Sequence, residues 1–174
     1  MAKQTIIVMS DSHGDAAIVE DIKETYLGKV DAIFHNGDSE LSDQDPVWEG
    51  IQVVGGNMDF YPGYPDRLVL DLGSTRIIQT HGHLYQINFD FYRLDLWAQE
   101  EDADICLFGH LHTPMAFVLG KTLFVNPGSV SQPRGPINER LYAKIEVDEK
   151  QFQVSYYNRQ HQELTDLRKE FSRL

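Results

Sequence analysis

Thr5-Ile6-Ile7-Val8-Met9-Ser10-Asp11-Ser12-His13-Gly14-Asp15 couples a β-branched apolar run to a polar loop that holds an acid, an imidazole and a glycine. The run reads as a buried strand and the loop as its carboxyl end. A helix follows directly. Asp15 is placed to cap it, and Ala16, Ile18, Val19, Ile22, Tyr26 and Leu27 recur at near-helical spacing, with acids opposite, before Gly28 ends it. Asp31-Ala32-Ile33-Phe34 is a second strand, closed by His35-Asn36-Gly37-Asp38. A strand ending in glycine and acid has thus occurred twice around a helix, which points to an α/β fold with its polar chemistry at strand ends.

Outward from this unit the pattern continues. Residues 39–50 are polar with a proline and read as a surface loop or a short helical turn. Ile51-Gln52-Val53-Val54 is a third strand, ending in Gly55-Gly56-Asn57-Met58-Asp59, where paired glycines let the backbone turn sharply. Residues 67–72 and 75–79 form a hairpin about Gly73-Ser74, and its second arm runs into Thr80-His81-Gly82-His83. Residues 88–101 are a second amphipathic helix, with Phe91, Leu94, Leu96, Trp97 and Ala98 on its apolar side. Residues 104–108 are a strand that delivers Gly109-His110-Leu111-His112; read as extended, that segment turns both imidazoles to one face and Leu111 to the other. Residues 115–119, 122–125, 141–147 and 151–157 supply further strands. The charged tail, 161–174, is expected to be a surface helix or frayed. With no linker or repeat to divide it, the chain reads as one domain spanning 1–174, in which face-to-face sheets are covered outside by helices.

Composition narrows the function. A net charge of −12, with 15 Lys and Arg scattered along the chain, argues against a general nucleic-acid binder, which needs a basic patch. The lone Cys106 lies in an apolar run without an intrachain partner, so it is a core residue of a protein suited to a reducing compartment. The first apolar stretch is too short for a signal-peptide core, and no segment approaches the ~20 apolar residues of a membrane span. The expected setting is the cytoplasm, without membrane contact. Phe91, Tyr92 and Trp97 read as core or as a dimer face, which leaves a homo-oligomer open.

Asp11, His13, Asp38, Asn57, His81, His110 and His112 all fall at or just past strand ends. Oxygen and nitrogen ligands without cysteine suit borderline or hard divalent ions. They are too many for one tetrahedral ion, and two ions sharing a carboxylate would use the set economically, a device that recurs in phosphate-ester cleavage.

Five ordered blocks carry a family resemblance: Asp11-Ser12-His13, Gly37-Asp38, Gly56-Asn57-Met58-Asp59, His81-Gly82-His83 and Gly109-His110-Leu111-His112. They resemble the D-x-H, G-D, G-N-x-D/E, H-G-H and G-H-x-H blocks of the calcineurin-like metallophosphoesterases. The short length, with Asn126-Pro127-Gly128-Ser129 and Pro133-Arg134-Gly135, looks like the small YfcE-type phosphodiesterases. The resemblance implies a four-layer αββα sandwich of two mixed sheets flanked by helices. It implies two divalent ions, manganese first, with nickel, iron or zinc as substitutes. Asp11, His13 and His112 would hold the first ion, Asp38 would bridge, and Asn57, His81 and His110 would complete the second.

The activity so implied is hydrolysis of a small phosphodiester, a nucleotide among the candidates, by a metal-bridging hydroxide. Asn57, His81 and Arg134 are expected to contact substrate, Arg134 because guanidinium pairs bidentately with phosphate. One departure matters. In the phosphoprotein phosphatases of the superfamily the third block carries histidine where this chain has Met58, and that imidazole is assigned to protonating the leaving group. A thioether has no proton to give. The acid role expected at Asp59 loses its partner, His83 becomes the alternative proton source, and esters with poor leaving groups are expected to react weakly. A phosphomonoesterase is one alternative; a non-catalytic scaffold is another, since the retromer subunit of eukaryotes looks like the same small fold used as a scaffold. His35 is expected to be a hydrogen-bonded core residue and His161 a solvated one.

Overall fold

The computed structural model describes residues 2–174. Among these residues eleven strands form two mixed sheets. Strands β1 (Gln4–Met9), β2 (Ala32–His35) and β3 (Gln52–Val53) are parallel and continue, on the other side of β1, into antiparallel β9 (Leu141–Val147), β10 (Gln151–Asn158) and β11 (Lys169–Ser172). The second sheet has parallel β5 (Thr75–Thr80), β6 (Ile105–Leu107) and β8 (Thr122–Pro127) between antiparallel β4 (Arg67–Leu72) and β7 (Pro114–Leu119).

Period-two alternation sorts the side chains into layers. Ile6, Val8 and Phe34 of the first sheet meet Ile77, Ile105, Leu107 and Val125 of the second in a central core. On the outer face of the first sheet, Ile7, Met9 and Ile33 receive Ile18, Val19 and Ile22 of α1 (Ala16–Tyr26), with Trp48 from the 3₁₀ turn Pro46–Trp48. On the outer face of the second, Ile78, Cys106 and Phe124 receive Leu94, Trp97 and Ala98 of α2 (Tyr92–Glu100). These are the expected four layers, with few helices in the outer two. Cys106 is fully buried, and burial pushes its thiol well above the ordinary range. Among the described residues no helix is long and apolar enough to cross a membrane.

The Asp15 cap is present, its carboxylate accepting the Ile18 N–H at 3.2 Å. Three expectations are corrected. The second helix begins at Tyr92, four residues late: Phe89 N–H closes a turn on Gln86 O at 3.1 Å, and Asp90 Oδ1 accepts the Tyr92 N–H at 3.0 Å, so 88–91 are spent on the approach. The tail is no helix: Leu164, Leu167 and Phe171 have helical spacing, yet a 3₁₀ turn (Thr165–Leu167) and strand β11 bring all three onto the central core. Pairing along β10 satisfies that backbone and sets Phe171 opposite Phe152. His161 is not merely solvated, since its ring bridges Asp21 Oδ2 at 2.8 Å and the Tyr142 hydroxyl at 2.7 Å.

Candidate metal centre

The parallel strands of the two sheets deliver their following loops to one edge, where Asn36, after β2, donates its Nδ2–H to Phe108 O, after β6, at 2.9 Å. The loops beyond β1 and β2 continue the ladder: Asp11 N–H donates to Gly37 O at 3.0 Å and His13 N–H to Asp38 O at 2.9 Å. Gly109 lets the third loop come close, since a Cβ there would strike Ser10 Oγ and Asp11 Oδ2. Gly56 does the same beside Asp38.

The backbone at this edge is strained. Asp11, His13, Asp38, His110 and His112 have φ of 54°, 45°, 56°, 71° and 58°, a region that non-glycine residues occupy only where their surroundings hold them. Gly109–His112 is therefore not the extended segment expected. Leu111 is nevertheless turned into the outer core beneath the second sheet.

Two groups of ligand atoms result, Asp11–His13–His112 and Asp11–Asp38–His81. In the first, the Nε2 atoms of His13 and His112 stand 3.2 Å apart, and Asp11 Oδ1 lies 3.8 and 3.1 Å from them. In the second, His81 Nε2 is 3.2 Å from Asp38 Oδ2 and 3.7 Å from Asp11 Oδ1. Asp11 belongs to both groups and Asp38 to the second alone. His110 and Asn57 adjoin the second: His110 Nδ1 is 3.1 Å from Asn57 Oδ1, and its ring centroid is 5.2 Å from that of His81.

The donor set fits a cation. His81 Nδ1 bonds to Asn36 O at 2.8 Å and His112 Nδ1 to Gln132 O at 2.6 Å. A carbonyl only accepts, so each ring carries its proton on Nδ1 and turns a bare Nε2 toward the carboxylates. Asp11 Oδ1 and His81 Nε2 are buried without any hydrogen-bond partner. Acceptors converging without donors need positive charge between them. Titration shows the same demand for positive charge, which a proton can meet in the absence of a cation. Burial pulls the His81 imidazole down, but Asp38 and Asp11 outweigh it and leave it raised; burial pushes Asp11 up, but His112 and His81 hold it at about 2. Burial and the charge of His81 both lower His110 and His83.

A cavity of about 350 Å³ opens over the site, lined by His13, Asp38, His110 and His112 together with Glu40, Asn57, Met58, Gln132 and Arg134. The Arg134 backbone is tied to His112 O at 2.9 Å, while its exposed guanidinium makes no hydrogen bond or ion pair among the described residues. His83 stands to the side, half-buried, its ring 5.4 Å from that of His81 and 6.3 Å from that of His110, with Nδ1 unpartnered. Asp59 is not among the residues lining the cavity, and its carboxylate is engaged by backbone. Its Oδ2 accepts the N–H groups of Asp38 at 2.7 Å and Gly56 at 2.8 Å, and its Oδ1 that of Glu40 at 2.8 Å.

The fold and these residues agree with known proteins. A model of the calcineurin-like phosphoesterase superfamily domain matches residues 5–150. The chain belongs to that superfamily. It is 36% identical over 162 residues to the probable metallophosphoesterase YsnB of Bacillus subtilis (strain 168), covering 93% of this chain and 95% of that protein. A crystal structure from Streptococcus pneumoniae TIGR4, described as a conserved uncharacterized protein and predicted phosphoesterase, matches with a TM-score of 0.99 and 66% identity over 99% of both chains. The Escherichia coli phosphoesterase Yfce shares the fold at a TM-score of 0.65 and 20% identity, over 98% of this chain and 100% of that one.

Ser129 donates to Asp11 O at 2.7 Å and accepts from Gln132 N at 2.7 Å, so its hydroxyl braces the loops. Sequence reasoning passed over two further contributors. The Gln132 carbonyl fixes the His112 ring. Glu40, treated as loop, bonds to His13 Nδ1 at 2.9 Å.

Proposed function

We propose that the protein is a divalent-metal-dependent phosphodiesterase acting on a small diester, with manganese as its first-choice ion. The observation that carries this reading is the pair of acceptor groups sharing Asp11 beneath a cavity sized for a small molecule, with an unpaired arginine at its wall. When bound, two divalent ions supply positive charge for the phosphate oxygens and a water acidic enough to act as nucleophile at neutral pH.

Asp11, His13 and His112 would hold one ion and Asn57, His81 and His110 the other; the family resemblance makes Asp38 the shared carboxylate, and Asp11 also lies within reach of both groups. Because Asn57 Oδ1 accepts from His110, its Nδ2 is left to donate to a phosphate oxygen. Arg134 pairs with a second oxygen and orients the ester. Diesters are favoured over monoesters on one ground, and good leaving groups over poor ones on another. Glu40 adds negative charge to the cavity, which opposes a dianion more than a monoanion. Met58, in the wall, offers no proton, and His83 is held toward its neutral form, so leaving groups that depart unprotonated are preferred. Asp59 serves by holding the Asp38 loop rather than by giving up a proton.

A metal-by-substrate matrix tests the proposal, using an aryl diester, an aryl monoester, an alkyl monoester, and cyclic and linear nucleotide diesters. The aryl diester should turn over fastest, and Asp38→Ala should lose metal and activity together. Equal turnover of aryl diester and alkyl monoester, or an Asp38→Ala protein with full metal and turnover, refutes it.

A further inference from the structure

The four candidate imidazoles are all held through Nδ1, but not by equal partners. His81 and His112 bond to the backbone carbonyls of Asn36 and Gln132, and His110 bonds to the Asn57 amide oxygen. His13 alone is backed by a carboxylate, Glu40 Oε2 at 2.9 Å. A carboxylate fixes the ring's tautomer as a carbonyl does, and in addition makes the far nitrogen a stronger donor to a cation.

Glu40 is built into place rather than drifting there. Its backbone N–H is clasped by Asp59 Oδ1 at 2.8 Å, and its φ is +57°. Three strand-end loops share one backbone form, with left-handed residues two apart: Asp11 and His13, Asp38 and Glu40, His110 and His112. In the first and third, both residues are candidate ligands. In the second, Glu40 holds the corresponding position and reaches across to His13.

We infer that Glu40 is a positioning residue that makes the two metal positions unequal, strengthening the Asp11–His13–His112 position selectively. The inference rests on the two-ion reading above. It assigns Glu40 no contact with substrate; it acts through the His13 ring.

Titration of metal-free, full-length protein with Mn²⁺ tests this, with free ion counted by electron paramagnetic resonance for wild type, Glu40→Gln and Glu40→Ala. Wild type should bind two ions. In Glu40→Gln, which keeps an acceptor but loses the charge, one dissociation constant should rise about 10- to 100-fold while the other stays at its wild-type value. Glu40→Ala should lose at least as much at the same position. Melting in excess chelator controls for folding and should be unchanged, since the side chain lies at the cavity wall. Wild-type constants in both variants overturn the inference, as does an equal weakening of both positions. A wild-type protein that binds fewer than two ions overturns the two-ion reading itself, before any variant is considered.

Discussion

His13 and His112 turn their Nε2 atoms toward each other at 3.2 Å, with Asp11 Oδ1 3.1 Å from the second. Each ring donates its Nδ1 proton elsewhere, to Glu40 and to the Gln132 carbonyl, so two lone pairs and an anion share one small volume. The folded protein holds this repulsion only because the strand-end loops are braced, and a cation relieves it. Mn²⁺ at a hundred times its dissociation constant should stabilise by about 2.7 kcal/mol, raising the melting temperature by roughly 5–10 °C. Scanning fluorimetry with and without chelator measures it. Asp11→Asn should abolish the rise, and a wild-type protein whose melting ignores divalent ions would count against the site.

Acid stability should depend on His35. Its ring accepts the Gly37 N–H at Nδ1, 3.1 Å away, and meets Ser12 Oγ at Nε2, 2.9 Å away, so it is neutral in the fold. Burial lowers its pKa from 6.5 to about 4. The unfolded chain takes up that proton as pH falls through 6.5 and the folded chain only near 4, so stability is full above 6.5 and falls across that window by about 3 kcal/mol. His81, raised in the fold, has the opposite sign: its contribution is present below 6.5 and fades as pH rises. Urea unfolding of metal-free His35→Asn should therefore show lower stability at pH 7 but a flatter decline to pH 4.5. A decline as steep as that of wild type would remove His35 as its source.

Arg134 is fixed at its backbone, and its exposed guanidinium makes no hydrogen bond or ion pair among the described residues. That combination suits an anchor for a charged ligand and contributes nothing to the fold. Arg134→Ala should raise KM for an aryl diester about tenfold or more, the worth of a charge-assisted hydrogen bond, while metal stoichiometry and melting stay at wild-type values. Arg134→Lys should recover part of the loss, since a point charge replaces a bidentate fork. Unchanged KM in Arg134→Ala would place the side chain outside the substrate's reach.

Much of this edge is legible because local rules and global fold agree there. The strand runs at 5–9, 31–34 and 104–108 announce themselves by apolar content, and each is followed within a few residues by ligand types and a glycine. The tail misleads because its charge suggests a solvated surface element, whereas Leu164, Leu167 and Phe171 among those charges reach the core from a turn and a strand laid on the open edge of β10. Glu40 escaped notice although Asp38-Ser39-Glu40 repeats the form of Asp11-Ser12-His13. Its partner is 27 residues away, and sequence spacing cannot show that two loops run side by side.

Asp59 gives the sharpest separation between a proton donor and a brace. Its carboxylate accepts three backbone N–H groups, from Asp38, Gly56 and Glu40, and so ties the loop after β3 to the loop carrying Asp38. Asp59→Asn keeps the shape but places an amide against donors, which should cost about 1–3 kcal/mol and loosen Asp38. A brace predicts that melting temperature and metal affinity fall together, and that turnover falls by the same factor for aryl and alkyl diesters. A proton donor predicts unchanged metal affinity and a far larger loss for the alkyl diester, whose alkoxide leaves poorly, together with loss of the alkaline limb of the pH–rate profile. The geometry favours the first outcome, because both oxygens are already committed to the backbone. A selective loss on the alkyl diester would instead return Asp59 to the chemistry.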